Sequence, residues 1–151
     1  MSVETPAGEG GSERQGLRLD HIGIQVRDLE RSAQAFEKFF GYHRATEPVV
    51  NSRQGIRGLF LEKPGSLPIK LVTPLHPSAG ERFGLHHLAF LTDEIGADVE
   101  ELRAAGARVL AEPAPGEMFG DELIAFVFAA GINVELVTTE RWAGRLPAGD
   151  D

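Results

Sequence analysis

Four residues that could do chemistry recur at nearly one spacing along the chain. His87 follows His21 by 66 positions, and Glu135 follows Lys70 by 65. The lysine and the glutamate each lie in an apolar run, Ile-Lys-Leu-Val and Val-Glu-Leu-Val. Two imidazoles and one carboxylate on a common surface can bind a divalent metal and leave coordination positions open for a substrate. We therefore predict that His21, His87 and Glu135 are metal ligands.

Lys70 bears directly on this metal prediction. An ammonium ~5 Å from a dication meets roughly 7 kcal/mol of repulsion at an effective dielectric constant near 20. This repulsion equals about five pKa units, enough to make the lysine neutral at pH 7. Two arrangements stay open: Lys70 is a neutral base or ligand beside a metal, or it is charged and pairs with Glu135 without a metal. Lys70 and Glu135 are the predicted catalytic residues.

An internal repeat must position these side chains, and repeats are sought before single elements. Each half of the chain carries a segment with alternating apolar residues, an acidic helix cap, an apolar helical stripe and a glycine that ends the helix. In the first half these signals fall at 21–26, Asp28 and Gly41, and in the second at 87–92, Asp93 and Gly106. The two sets lie 65 or 66 positions apart, which indicates a duplicated module.

Three short strand-like runs follow each predicted helix, so each module reads βαβββ. The runs lie at 44–50, 56–62 and 69–73 in the first half and at 108–112, 123–128 and 133–138 in the second. We expect an α+β fold in which two tandem modules, at about 17–76 and 83–140, share one curved, open, mixed sheet with the helices outside. Residues 1–16 are predicted to be a disordered tail. Residues 141–151 are predicted to be a second tail, in which Trp142 packs on the domain or on a partner.

Strand alternation predicts which side chains line the concave inner face. Ile22, Ile24 and Val26 should face the helix, which leaves His21, Gly23 and Gln25 inside. The same alternation places His87 inside, and Lys70 and Glu135 at matching inward positions. His86 should then point to the opposite face or to the strand edge, and we assign it no role.

Composition narrows the classes of partner. The chain has 151 residues, a formal net charge of -8 and no cysteine. The acidic balance argues against a nucleic-acid surface. No apolar run approaches the ~20 residues of a membrane span, and no signal-peptide pattern is present, so we expect a cytoplasmic protein without membrane contact.

Five segments resemble the vicinal oxygen chelate superfamily, also called the glyoxalase, bleomycin-resistance and dioxygenase group, and within it the methylmalonyl-CoA epimerases. The resemblance spans about Leu19 to Thr139. It rests on Asp20-His21-Ile-Gly-Ile, Gln54-Gly55-Ile56, Leu71-Val-Thr-Pro74-Leu75, Gly84-Leu-His-His87-Leu-Ala-Phe and Val134-Glu135-Leu.

The resemblance implies a metal held at His21, His87 and Glu135, together with a glutamine whose position Lys70 occupies here. It also implies a glutamate base at the position of Gly58, and glycine cannot abstract a proton. The implied cofactor is a divalent metal (Co, Mn, Ni, Zn or Fe) with no organic cofactor, and the implied assembly is a homodimer. Gln25, Phe60 and Gly58 are the predicted substrate-binding residues.

The predicted function is therefore a small-molecule enzyme with isomerase or lyase chemistry on a carbonyl or acyl substrate. It departs from a true epimerase at Gly58 and Lys70. Two alternatives stay open. One is a metal-free protein that binds an antibiotic or another small molecule, and the other is an Fe(II)-dependent dioxygenase that uses the same three ligands.

Overall fold

Residues 16–147 are described by a computed structural model of the chain, and they form nine strands and two α-helices. The first half contains β1 (Arg18–Gln25), α1 (Leu29–Phe40), β2 (His43–Arg44), β3 (Val49–Asn51), β4 (Ile56–Glu62) and β5 (Ile69–Pro74). The second half contains β6 (Gly84–Leu91), α2 (Ile95–Ala104), β7 (Arg108–Pro115), a 3₁₀ helix (Glu117–Phe119), β8 (Leu123–Ala129) and β9 (Ile132–Val137).

One mixed sheet joins the two halves through its central strands. The strand order is β2-β4-β5-β1-β6-β9-β8-β7, and β3 pairs with β4. β1 and β6 pair antiparallel, whereas β1 with β5 and β6 with β9 pair in parallel. The two halves therefore have equivalent pairings around the β1–β6 seam. The predicted α+β fold of two tandem modules in an open mixed sheet is confirmed.

The first helix follows its sequence signals closely. Asp28 is the N-cap, and its side chain accepts a hydrogen bond from the backbone N–H of Arg31. Gly41 ends the helix with φ at +74°, a left-handed conformation that glycine adopts without steric cost. Leu29 and Ala33 are buried against the sheet with Ile22 and Ile24. The inner and outer faces of β1 are thus assigned as the alternation predicts.

The second helix begins differently from the prediction. Asp93 is not its cap, because the helix starts after Glu94, whose side chain makes no capping bond. The hydroxyl of Thr92 accepts the backbone N–H of Glu94 at 3.0 Å, and Asp93 instead pairs with Arg18 at 3.1 Å. Thr92 thus holds the N-cap residue in place, but among the described residues no side chain caps the first turn of this helix.

The predicted strand at 44–50 is divided into β2 and β3. Between them, Ala45 still bonds with Phe60 of β4, but Thr46 forms a bridge with Arg145 and Glu47 donates its N–H to Gly144. The C-terminal segment thus takes over as the pairing partner of this stretch. The local sequence pattern predicts one continuous strand, because it cannot reveal a pairing partner about 100 residues away.

The C-terminal segment packs against the domain up to residue 147, so the tail predicted from residue 141 is corrected for this part. Trp142 stacks on Phe60 with ring centroids 4.0 Å apart, and Ala143 donates its N–H to the carbonyl of Met118. The predicted tail at 1–16 lies almost wholly outside the described residues. None of the described helices is long and apolar enough to cross a membrane.

Candidate metal centre

The sheet register places the four polar residues in two adjacent rows on the concave face. In the first row the paired residues are Phe60 of β4, Lys70 of β5, Gly23 of β1 and His87 of β6. In the second row they are His21 of β1, Ala89 of β6, Glu135 of β9 and Phe126 of β8. Because strands pair side by side, these rows bring together residues more than 60 positions apart in sequence.

The three predicted metal ligands meet around one carboxylate oxygen. The Oε1 atom of Glu135 lies 3.3 Å from Nε2 of His21 and 3.1 Å from Nε2 of His87. One ligand atom from each residue lies within 4.8 Å of the others, and all three residues are buried. The structure therefore brings His21, His87 and Glu135 together as the sequence predicted.

Three atoms in this cluster are buried without a hydrogen-bond partner among residues 16–147. They are Nε2 of His21, Nε2 of His87 and Oε2 of Glu135. A buried polar atom without a partner is costly, and such atoms indicate an absent ion or water. Two imidazole nitrogens and a carboxylate are donors that divalent transition metals accept at about 2.0–2.2 Å. The residues present therefore fit a divalent metal.

His21 has a partner that orients it for this role. Its Nδ1 atom lies 2.7 Å from Oδ2 of Asp20, which is also buried. A carboxylate at this distance holds the proton on Nδ1 and leaves the Nε2 lone pair directed at the metal position. Phe119 stacks over the His21 ring and Phe60 meets it edge-on, so the ring has little freedom to turn.

Lys70 lies in the same cluster as a fourth polar group. Its Nζ atom donates to Oε1 of Glu135 at 3.4 Å and is 5.2 Å from the ring centroid of Phe119. The lysine is buried, with 1% of its surface exposed. Lys70 and the two imidazoles thus share one carboxylate oxygen, so the ammonium contributes positive charge where the metal would.

Burial and charge act together on the titration of this cluster. Burial alone raises the pKa of Glu135, but the Lys70 ammonium and the two facing imidazoles outweigh it and hold that pKa well below its usual value. Burial lowers the pKa of His87 to about 4. At neutral pH the carboxylate is therefore ionised and the His87 imidazole is neutral, which are the forms that bind a metal.

His86 does not point away from the cluster as strand alternation predicts. Its Nδ1 atom lies 2.7 Å from Nδ1 of His87, and its ring lines a cleft at the edge of the cluster. The cause is a β-bulge, because Gly23 pairs with His87 while the next residue, Ile24, pairs with Leu85. The extra residue in β6 is His86, so strict alternation does not apply to it. The adjacent His86 and His87 are the sequence signal that could have indicated this contact.

The cleft beside His86 and His87 gives a ligand access to the cluster. It has a volume of about 170 Å³ and is also lined by Gln54, Leu110, Ala111, Phe126 and Asn133. A neighbouring groove of about 390 Å³ shares four of these residues and adds Arg53 at its rim. Polar and apolar residues both line this space, which suits a small organic molecule.

The 3₁₀ helix covers the cluster on its opposite side. Met118 and Phe119 are each 1% exposed and pack with Phe60 and Trp142. Glu117 accepts hydrogen bonds from the hydroxyl and the backbone N–H of Ser52. This bond ties the β7–β8 connection to the turn after β3 and closes the concave face over the polar rows.

The three predicted substrate-binding residues do not line the cleft. The Gln25 amide donates to Glu81 and to the carbonyl of Arg82, so it holds the linker between the two modules. Phe60 is fully buried beside His21. Gly58 faces the same side as Phe60, and a Cβ there would lie 2.7 Å from the carbonyl oxygen of Leu71. Direct substrate contact by these residues stays a prediction.

Residues 20–138 match the family model of the Glyoxalase/Bleomycin resistance protein/Dioxygenase superfamily. The chain belongs to this superfamily. The ethylmalonyl-CoA/methylmalonyl-CoA epimerase of Cereibacter sphaeroides is 30% identical over 132 residues, which cover 82% of this chain and 97% of that protein.

Solved structures of the superfamily share the fold. The methylmalonyl-CoA epimerase of Mycobacterium tuberculosis is 31% identical with a TM-score of 0.69, over 80% of this chain and 87% of that chain. A methylmalonyl-CoA epimerase in complex with methylmalonyl-CoA and NH4+ is 29% identical with a TM-score of 0.71, over 87% of this chain and 99% of that chain. The predicted superfamily, and the likeness to epimerases within it, are confirmed.

Proposed function

We propose that the protein is a metal-dependent enzyme that catalyses isomerisation or elimination on a carbonyl or acyl-thioester substrate. The observation that carries this proposal is the convergence of His21, His87 and Glu135. The Nε2 atoms of both histidines and the Oε2 atom of the glutamate are buried without a hydrogen-bond partner among the described residues. The related epimerases act on acyl-CoA esters, as their names state. A protein that only sequestered a small molecule would not need three metal donors in its core.

Each residue of the site would have a separate role in this reaction. A divalent ion at the three donors would supply a Lewis acid for an enolate-like oxygen. Lys70, the one buried amine in the cluster, would transfer the proton. The cleft lined by His86, Gln54 and Phe126 would hold the substrate next to His87. The ion would be Co, Mn, Ni, Zn or Fe, all of which accept this donor set.

A second observation supports a proton-transfer group other than a glutamate at position 58. At Gly58 a Cβ atom would meet the Leu71 carbonyl at 2.7 Å, and the Met118 methyl group at 3.2 Å. The Leu71 backbone and the Met118 side chain of the 3₁₀ helix therefore already occupy the space that the Cβ atom of a longer residue at position 58 would need. We propose that proton transfer in this protein depends on Lys70 and not on a carboxylate at position 58.

Metal content and proton exchange together test the proposed function. Purified protein is analysed for bound metal, and hydrogen–deuterium exchange at C2 of methylmalonyl-CoA is followed by NMR. We expect one metal per chain, lost in a His87→Ala variant and retained in His76→Ala, whose side chain is exposed. We expect Lys70→Met to bind metal and to lose exchange. Protein that binds no added Co2+, Mn2+, Ni2+, Zn2+ or Fe2+ would overturn the proposal.

A metal-free binding protein is the second candidate, and the Lys70–Glu135 ion pair favours it. This pair neutralises the buried carboxylate without an ion. Under this alternative, metal would be absent from the purified protein and would not bind when added, and an apolar small molecule would occupy the cleft beside Phe126. Titration of metal-free protein with Co2+, read by its visible absorption, distinguishes the two functions.

A further inference from the structure

The duplication extends beyond the metal ligands to the residue before each histidine. In the pairing of β1 with β6, Leu19 faces Phe90 and His21 faces Ala89, so Asp20 is an extra residue in β1. His86 is the extra residue in β6, and it lies 66 positions after Asp20. Both bulges bring a neighbouring side chain to within 2.7 Å of the Nδ1 atom of a ligand histidine.

The two partners have different chemistry. Asp20 is buried, and its carboxylate can only accept a hydrogen bond, so the His21 tautomer is determined. His86 is an imidazole, which can donate or accept at Nδ1, and its ring lines the cleft. His86, the partner of His87, can therefore exist in two tautomers and is accessible to a ligand in the cleft. Asp20, the partner of His21, is buried and can only accept a hydrogen bond.

One proton lies between the Nδ1 atoms of His86 and His87. The ring that carries this proton determines whether the Nε2 atom of each histidine is protonated. If His86 donates, His87 carries its own proton on Nε2, facing Glu135, and the Nε2 atom of His86 is a bare acceptor. If His87 donates, its Nε2 atom is free for a metal, and His86 carries its own proton on Nε2. Each arrangement holds two ring protons on two neutral imidazoles, so the change releases none.

We propose that His86 is the positioning residue of His87 and that it links the metal position to the cleft. In the metal-free protein, the Glu135 carboxylate 3.1 Å away favours the proton on Nε2 of His87. When a metal occupies the donors, His87 must donate through Nδ1, and His86 then presents an N–H. His86 thus offers the cleft a donor for a substrate carbonyl or carboxylate oxygen only when the metal is bound. This inference rests on the proposed metal-dependent function.

The test follows ring tautomers by NMR of protein labelled with 15N at histidine, without metal and with diamagnetic Zn2+. Wild-type protein should show His86 protonated on Nδ1 without metal and on Nε2 with Zn2+, because the pair changes together. His86→Leu removes the hydrogen-bond partner of His87 Nδ1 and should bind Zn2+ about 10 to 100 times more weakly. His86→Asn should recover most of this affinity, because an amide can also donate or accept.

Two control variants separate a local role from a general loss of structure. His76→Leu removes an exposed histidine and should leave the His87 tautomer and Zn2+ affinity unchanged. Asp20→Asn should alter the His21 signals and leave the His86–His87 pair as it is. If Zn2+ leaves the His86 tautomer unchanged, or if His86→Leu binds Zn2+ as tightly as the wild type, the inference is wrong. Failure of Zn2+ to bind wild-type protein would instead contradict the proposed function, while the protonation of metal-free His86 on Nδ1 still tests its pairing with His87.

Discussion

Small residues lie opposite both ligand histidines on the central strands. Gly23 pairs with His87, and Ala89 pairs with His21, again 66 positions apart. The imidazole of His87 lies across Gly23 so closely that an added Cβ would be 2.2 Å from its Cε1 atom. The position of the ring therefore depends on the absence of a side chain on the neighbouring strand.

Gly23→Ala should displace the His87 ring and weaken metal binding by at least tenfold. Overpacking of this kind also costs about 1–3 kcal/mol of folding stability. Competition with a metal chelator measures the affinity, and thermal unfolding measures the stability. Gly96→Ala is the matched control, because its added Cβ would meet no atom within 4 Å. Equal metal affinity in the Gly23 and Gly96 variants would contradict the expected packing.

Lys70→Met should shift the balance between the metal-free and metal-bound states. Removal of the ammonium leaves Glu135 buried without its ion-pair partner, which should destabilise the metal-free protein by about 3–5 kcal/mol. Metal affinity should rise by at least 100-fold, because the like-charge repulsion is gone. Thermal unfolding with and without Zn2+ measures both effects. A metal-free variant as stable as the wild type would show that the ion pair contributes nothing to folding.

At the scale of elements, three segments from different parts of the chain cover the inner face. The 3₁₀ helix and the C-terminal segment pack on Phe60, and the turn after β3 is bonded to the 3₁₀ helix. Trp142 connects them, because its ring stacks on Phe60 while the next residue bonds to the 3₁₀ helix. The C-terminal segment is thus part of the wall of the candidate metal centre.

Trp142→Ala should lower the free energy of unfolding by about 3–5 kcal/mol, the usual cost of deleting a large buried aromatic side chain. Urea denaturation measures this loss. Trp142→Phe retains a stacked ring and should recover most of it. The loosened wall should also increase amide exchange at Met118 and Phe119 above that of the wild type. Protection that stays unchanged there would mean that the 3₁₀ helix is held in place without the tryptophan.

At the scale of the whole molecule, the two modules are equivalent in the sheet but not in the site. The first supplies His21, Lys70 and Gln54 of the cleft, and the second supplies His87, Glu135 and the other residues of the cleft. The two modules thus form one asymmetric site at the β1–β6 seam. The first module contributes the Lys70 ammonium, and the second contributes the Glu135 carboxylate. Each half alone lacks a complete set of metal ligands.

We expect a homodimer in solution, as the resemblance to the epimerases implies. Light scattering coupled to size exclusion should give twice the mass of one chain, at a protein concentration that matches the activity assays. A single species with the mass of one chain would refute this expectation.

Local pattern was sufficient for the repeat, the helix α1 and the inward direction of His21, Lys70, His87 and Glu135. These features follow from the period of a strand or helix and from a comparison of the chain with itself, and neither requires knowledge of distant contacts. Strand pairing was not needed to predict that the four residues share one face.

Only the tertiary structure decided which neighbours act on these four residues. The bulges at Asp20 and His86 depend on how β1 and β6 align across 66 positions, and alternation within one strand misses them. The division of the predicted strand at 44–50 into β2 and β3 depends on pairing with the C-terminal segment. The position of Trp142 on Phe60 depends on the same segment, which is distant in sequence. The side chains of the candidate metal centre thus follow from local periodicity, whereas their partners and covering are set by long-range pairing.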